Sequence, residues 1–419
     1  MQNIGLVGFG RSNYEVYRHF SGSGCKIFVH LEKEIPLPDD ALPVFGKDYL
    51  KCDEDLVFRS PGVRPDKIIA REGSVVSEAS YSLPRFNIPK ILVTGSDGKT
   101  TTATMIAKIL KDDVFLSGNI GTPFISGLKQ SYKYLVGELS SFQLMDFYPS
   151  STASVITGFT ENHLNWHTDI YEYFNAKLNI VKNAERIVIP YDNEKLREAT
   201  LGHKNISYFS LNDLSGLKGN HAYLKNNCLY IGKEPVMARE ELPLLGDFNV
   251  LNALSAICAT YELCSVEQIR NGLSSFYGVE NRLEPVKVLY GVSFFNSSID
   301  TTPTRTATTV GAVDIKRTVL ILGGSDKGLS YEILEEALKN ARGCVVLGEN
   351  KNKILPNLAC PAIAVSTLKE AVLASLSLAR EGDNVILSPA SASFDMFSSY
   401  KERGDAFKRI VSELDSKNI

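Results

Sequence analysis

Short apolar runs recur along the chain at 4–9, 26–31, 56–59, 91–95, 135–138, 154–158 and 186–190. They return at 319–323, 344–348, 362–365 and 384–388. Each is followed by a stretch of helical spacing or a glycine-rich turn. Unbroken apolar runs separated by helical segments predict strands buried on both faces, hence α/β architecture with parallel sheets between helices. The rhythm breaks twice. Leu83-Pro-Arg-Phe-Asn-Ile-Pro89 sets two prolines between one strand–helix series and the next, and around 283–285 a helical region gives way to new strands. Three domains are expected, at 1–88, 89–283 and 284–419.

The most informative dozen residues are Ile91-Leu-Val-Thr-Gly-Ser-Asp-Gly-Lys-Thr-Thr-Thr102. An apolar strand runs into a glycine turn that ends in Lys-Thr-Thr, ahead of a helix-forming stretch at 103–111. Gly95 and Gly98 let backbone N–H groups converge, the helix N-terminus adds partial positive charge, and Lys99 supplies a full one. With Ser96, Asp97 and Thr101 they form a candidate loop for nucleotide phosphates, and the Thr100 hydroxyl is placed to ligate Mg²⁺. Val93 stands where a standard phosphate loop has its first glycine, so the spacing is Gly-x-x-Gly-Lys-Thr.

Other strand ends also carry chemistry. Glu138, in Glu138-Leu-Ser-Ser-Phe-Gln-Leu144, ends an apolar strand, where a carboxylate beside a phosphate loop can hold Mg²⁺. His163 lies in Asn162-His-Leu-Asn-Trp-His167, after another strand. Lys177 falls mid-helix, and spacing alone puts it on a solvated face. Gly8-Phe-Gly10-Arg-Ser-Asn13 is half a dinucleotide fingerprint, with Asn13 at the third glycine position; it suits a phosphate-bearing ligand better than NAD. Lys327, after the strand at 319–323, and the small and hydroxyl residues following 384–388 suit a polar carboxylate substrate. A nucleotide site in the middle domain and an anion site in the last are expected.

In this order the motifs resemble the Mur ligases of peptidoglycan synthesis. The resemblance covers essentially the whole chain and rests on Thr94-Gly-Ser-Asp-Gly-Lys-Thr-Thr, Glu138-Leu-Ser-Ser-Phe-Gln-Leu, Asn162-His-Leu with Ala176-Lys177, the run from Ser298 to Thr306, and Ser388-Pro-Ala-x-Ala-Ser-Phe-Asp. It implies a Rossmann-like N-terminal domain, a central P-loop ATPase-like parallel sheet and a Rossmann-like C-terminal domain. It is nearest to the branch that joins D-glutamate to UDP-N-acetylmuramoyl-L-alanine with ATP, through an acyl phosphate. Carried over by position, Thr100 and Glu138 would hold one Mg²⁺, and His163 and a carbamylated Lys177 a second. Asn249 and Arg282 would contact the adenine nucleotide. Gly10, Arg11 and Ser12 would take the UDP group, Asn119 and Gln143 the muramoyl substrate, and Lys327, Ser393, Phe394 and Tyr400 the D-glutamate. Three positions near ATP depart from the family pattern: Phe248 replaces a His, Asn281 replaces the His before Arg282, and Ser297 replaces an Asp, each a loss of hydrogen bonding or charge. Ile299 is a fourth departure, where many members carry a Lys. A non-catalytic relative, or an amide ligase for another amino acid, is the alternative; the N-terminal domain disfavours a folate polyglutamate-type ligase.

Composition adds limits. Of 419 residues, 44% are hydrophobic and 22% charged, as in ordinary globular proteins. A net charge of −3 gives no reason to expect nucleic acid. No apolar run nears the roughly 18 residues that cross a bilayer. The seven cysteines form no Cys-x-x-Cys pair and read as thiols in a reducing cytoplasm. A cytoplasmic enzyme with small-molecule partners is expected, as a monomer.

Overall fold

The computed structural model describes residues 2–160, 166–311 and 313–414. The chain divides into two compact units, Met1–Leu242 with Asn249–Ser275, and Pro243–Phe248 with Phe276–Ile419.

The first unit holds two large sheets. β1 (Asn3–Val7), β2 (Lys26–Leu31), β3 (Ala41–Phe45), β4 (Leu56–Arg59) and β5 (Val75–Ser77) lie in the order β3-β2-β1-β4-β5, all parallel. The chain winds to one side of β1 and then to the other, and the crevice at such a reversal is where doubly wound sheets bind ligands. The turn at 8–12 sits there. Gly8 (φ 79°) is required, since a Cβ would come within 2.8 Å of the Ser60 hydroxyl, whereas Gly10 faces open space. Asn13, the break in the dinucleotide fingerprint, is fully buried. Its Nδ2 donates to Val7 O (3.1 Å), Gly8 O (2.8 Å) and Phe58 O (3.1 Å), tying the helix Arg11–Phe20 to β1 and β4.

Chain order continues with β6 (Lys90–Thr94), β7 (Val114–Gly118), β8 (Tyr134–Glu138), the short β9 (Ser150–Ser151), β10 (Ala153–Ile156), the short β11 (Asn183–Ala184) and β12 (Ile187–Pro190). β13 (Ile206–Ser210), β14 (Ala222–Lys225), β15 (Cys228–Ile231) and β16 (Glu234–Ala238) follow. Apart from the β11-β9 pair, these form a nine-stranded sheet, β16-β15-β14-β13-β12-β10-β6-β8-β7. It is parallel from β7 to β14 and antiparallel beyond. The expected parallel α/β sheet is extended here by an antiparallel edge. Asn226 (φ 47°) and Asn227 (φ 59°) both adopt the left-handed region, the two-residue hairpin geometry that turns β14 back as β15.

Charged side chains tie the first sheet to the second within this unit. The fully buried Arg59 guanidinium ion-pairs with Asp146 and donates to Phe142 O (3.0 Å). Arg64 forks onto both Glu172 carboxylate oxygens at 2.9 Å. Glu78 accepts from Ile125 N (2.6 Å) and from the Ser82 hydroxyl (3.0 Å), and burial pushes its carboxyl up from 4.5 to about 7. Across that window the folded chain keeps a proton that the unfolded chain releases. The group's contribution is therefore full below pH 4.5 and lost as pH rises to 7. The loss amounts to about 3 kcal/mol. A Glu78→Gln variant is expected to flatten the denaturant-stability profile between those pH values; superimposable wild-type and variant profiles would count against it.

The second unit carries β17 (Glu284–Leu289), β18 (Val292–Asn296), β19 (Thr318–Gly323), β20 (Gly343–Leu347), β21 (Ala362–Ala364) and β22 (Asn384–Leu387) in the order β17-β18-β22-β19-β20-β21. Only the β17/β18 hairpin is antiparallel, turned by Tyr290 (φ 52°) and Gly291 (φ 71°). Val319 and Ile321 pack with Phe294 and Phe407 on one face, Leu320 and Leu322 with Leu334 and Ile386 on the other. Both faces are buried, which is why the run shows no alternation. Among the described residues, no helix is long and apolar enough to cross a membrane.

Candidate active site

β6 delivers the chain to the loop 95–98, and the helix Lys99–Leu110 leaves it. Gly95 (φ 148°) and Gly98 (φ 78°) are sterically obligatory: a Cβ would lie 2.0 Å from Thr157 Oγ1 at the first and 2.3 Å from Asn252 Oδ1 at the second. Gly98 occupies the N-cap position and no side chain caps the helix, so its leading amides point into the loop with the positive end of the helix dipole. Such an end favours an anion. Ser96 is buried, its hydroxyl bonded to Thr160 O (2.9 Å) and to the Tyr173 hydroxyl (3.0 Å). Asp97 O accepts from the Thr157 hydroxyl, and Thr101 is buried in the first helical turn.

Two lysines converge on this loop. Lys99 curls back, its Nζ donating to Gly95 O and Ser96 O at 2.9 Å each. Lys177, in the helix Ile170–Leu178, donates to the same Gly95 O at 2.6 Å. The solvated face expected for Lys177 is corrected: it is only 2% exposed, because its helix packs beneath the loop, with its Nζ 4.6 Å from the centre of the Tyr173 ring. Burial, then the neighbouring Lys99 charge, hold the Lys177 ammonium well below its ordinary value.

The buried Glu138 closes the far side, at the carboxyl end of β8. Its Oε2 accepts from the Thr100 hydroxyl (2.7 Å) and its Oε1 from Asn119 Nδ2 (2.8 Å). Three of the site residues picked from sequence thus meet at one carboxylate, all through oxygen or amide groups. Gln143 sits one turn on, its Oε1 accepting from Ser140 N at 2.9 Å in a capping box. Asn249 is buried in the helix Asp247–Thr260, and its Oδ1 accepts from Asn252 Nδ2 (3.4 Å). His163 lies outside the described residues.

Sequence reasoning passed over two residues here. Asn252 fills the space beneath Gly98 and accepts from the Thr102 hydroxyl at 3.4 Å. Its signal was the Asn249/Asn252 pair at i,i+3 on one helix face. His167 lies 3.0 Å from the Ser141 hydroxyl and 3.3 Å from the Glu172 carboxylate, which Arg64 pulls down to about 2.

In the first sheet, Gly10 caps the helix that begins with Arg11 and Ser12. Arg11 is exposed, while Ser12 is half-buried and bonds to Glu78.

In the second unit, β19 and β22 are neighbours, which brings the loops 323–328 and 388–395 together. Ser325 N donates to Ala392 O (3.0 Å), and Asp395 N to the Ser325 hydroxyl (2.7 Å). Lys327 is exposed on the first loop. On the second, Ser393 is buried and Phe394 is 71% exposed. Tyr400 opens the helix Tyr400–Glu413, and its carbonyl accepts from the Ser298 hydroxyl at 2.7 Å. Arg403, missed from sequence, is the post on which these loops hang. Its buried guanidinium donates to Ser298 Oγ, Ser298 O, Ala392 O and Ser391 O at 3.0–3.1 Å, and burial lowers it to about 10. Arg282 N closes a tight turn onto Val279 O (3.0 Å). Of the first three departures, Asn281 and Ser297 are buried: Asn281 Oδ1 accepts from Asn296 Nδ2 (3.1 Å), and Ser297 Oγ from Leu283 N (3.2 Å). Phe248 is 42% exposed.

Known proteins resemble the chain along nearly its whole length. The family described as Mur ligase middle domain matches residues 93–260. The UDP-N-acetylmuramoylalanine--D-glutamate ligase of Clostridium kluyveri is 36% identical, covering 99% of this chain and 97% of that one. The protein of the same name in Clostridium perfringens is 32% identical with the same coverage. Among solved structures, the UDP-N-acetylmuramate-alanine ligase MurC of Thermotoga maritima shares the fold, with a TM-score of 0.60 at 19% identity over 99% of this chain and 100% of that one. MurF ligase of Thermotoga maritima, solved with ADP, gives 0.56 at 16% identity over 98% and 95%. The three α/β sheets, the glycine loop before Lys99 and near-complete coverage by these relatives lead to one assignment: the chain belongs to the Mur ligase family, in the branch of the UDP-N-acetylmuramoylalanine--D-glutamate ligases.

Proposed function

We propose that the chain joins D-glutamate to UDP-N-acetylmuramoyl-L-alanine at the expense of ATP, in cytoplasmic peptidoglycan precursor synthesis. Residues 1–88 would bind the UDP substrate, 89–283 ATP and 284–419 the amino acid. The loop 95–98 carries this reading, because the space at Gly95 and Gly98 admits no side chain while the uncapped helix end and Lys99 supply positive charge there. A carboxylate is a poor acyl donor until its oxygen becomes a leaving group. The alanyl carboxylate attacks the terminal phosphorus of ATP and ADP departs. The D-glutamate amine then attacks the carbonyl carbon of the acyl phosphate and phosphate leaves. Loop amides and Lys99 would stabilise charge on the transferring phosphoryl group. Asn249 and Arg282 would position the adenine nucleotide.

The donor set fits Mg²⁺, a hard cation that selects oxygen ligands: the Thr100 hydroxyl and the Glu138 carboxylate lie 2.7 Å apart. Bound there, Mg²⁺ would neutralise charge on the phosphate oxygens. Lys177 suits carbamylation, because only an unprotonated amine attacks CO₂ and the surroundings of Lys177 favour that form. The product is an anion, able with His163 to face a second cation. Gly10, Arg11 and Ser12 would hold the UDP group, Asn119 and Gln143 the muramoyl part, and Lys327, Ser393, Phe394 and Tyr400 the D-glutamate.

Phosphate release from ATP tests the proposal. Release that requires both the UDP substrate and D-glutamate supports it. Release with another amino acid instead would make the chain an amide ligase of different specificity. ATP binding without turnover would favour a non-catalytic relative, the reading to which Phe248, Asn281 and Ser297 lend weight.

A further inference from the structure

Cys344 lies in β20, and Cys360 in the segment entering β21, the edge strand of the third sheet. Their Sγ atoms are 3.4 Å apart and both are free thiols. The backbone fixes the approach: Cys344 pairs in register with Ala362, and its N–H donates to Pro361 O at 2.8 Å. Cys344 is fully buried and Cys360 half-buried, so a solute reaches the pair from the Cys360 side. Among the described residues, other thiols face different groups. Cys258 and Cys264 donate to the carbonyls of Tyr208 and Thr260, and Cys52 faces His30 at 3.7 Å. A disulfide needs about 2.05 Å between sulfurs, so small side-chain rotations close the gap between Cys344 and Cys360.

We propose that Cys344 and Cys360 form a modification site, a dithiol that hydroperoxides oxidise to a reversible intramolecular disulfide. The Cys360 sulfur attacks one peroxide oxygen, the O–O bond breaks, and Cys360 becomes a sulfenic acid as water leaves. The Cys344 sulfur then attacks the sulfenic sulfur, the S–O bond breaks, and the thiol proton departs with the hydroxyl as a second water. Two thiols and one hydrogen peroxide give one disulfide and two waters; each sulfur loses one electron and the peroxide gains two. The order follows from the surroundings. The Cys344 thiol beside Cys360 holds it below its ordinary value, whereas that same hydrogen-bonded partner, and then burial, hold Cys344 well above. Cys360 therefore supplies the thiolate that attacks first. The bond would close the segment 344–360, which contains Asn350, the residue whose Oδ1 accepts from Gly324 N at 3.0 Å. Nothing in this proposal depends on the ligase chemistry.

The test uses the full chain, reduced, desalted and exposed to hydrogen peroxide, then alkylated and digested without reduction. The expected product is a cross-linked pair of peptides containing Cys344 and Cys360, lighter by two hydrogens and cleaved by dithiothreitol, with the remaining cysteines alkylated. Oxidation should raise Tm by roughly 5 °C. Cys344→Ser should leave Cys360 as a sulfenic acid that dimedone captures, and Cys360→Ser should leave Cys344 reduced. Wild-type protein in which Cys360 passes directly to a sulfinic acid, or in which both thiols stay reduced while other cysteines oxidise, overturns the proposal.

Discussion

Lys99→Ala is expected to lower kcat by about 10²–10³-fold, the loss that follows removal of one electrostatic donor from a transition state. The effect should fall on kcat more than on KM. The loop amides and the uncapped helix end remain to bind phosphate in the ground state, whereas the full charge matters most as phosphoryl charge redistributes. Lys99 also bonds Gly95 O and Ser96 O, so the variant needs a check on folding by thermal unfolding. A correctly folded variant with near-normal turnover would show that phosphate is handled elsewhere.

The second large effect is expected at Lys177. Its replacement by alanine should reduce turnover by at least about 10²-fold, because the site loses the anion that a carbamate would provide. Short carboxylates such as acetate or formate should restore part of that loss by entering the vacated space, and wild-type activity should fall when CO₂ and bicarbonate are removed. The absence of both rescue and bicarbonate dependence would reduce Lys177 to a prop beneath Gly95, the contact it makes through its 2.6 Å bond.

The phosphate loop was legible because its chemistry is local. Strand, glycines, lysine and helix follow one another within a dozen residues, and steric need alone fixes the glycines. Glu138 was legible for a similar reason, as a carboxylate at the end of an unbroken apolar run. Lys177 was not. Its burial depends on how the helix Ile170–Leu178 packs under a loop some eighty positions earlier, and no periodicity encodes that. Arg403 and Asn13 escaped for the same cause, since their carbonyl partners include Ser298 in one case and Phe58 in the other. The antiparallel hairpins could have been read. Asn226-Asn227 and Tyr290-Gly291 are two-residue turns in the left-handed region that such hairpins require.

One oxygen atom, that of Gly95, receives both lysines. A polyphosphate bound as proposed would compete with that carbonyl for Lys99, and a Lys99 that swings away would take its charge farther from the deeper amine. The deeper amine would then become more basic and so less ready to capture CO₂. Under the proposed function, electrostatics predicts a loading order of carbon dioxide first and nucleotide second, and the reverse sequence is expected to give a slow lag before full turnover.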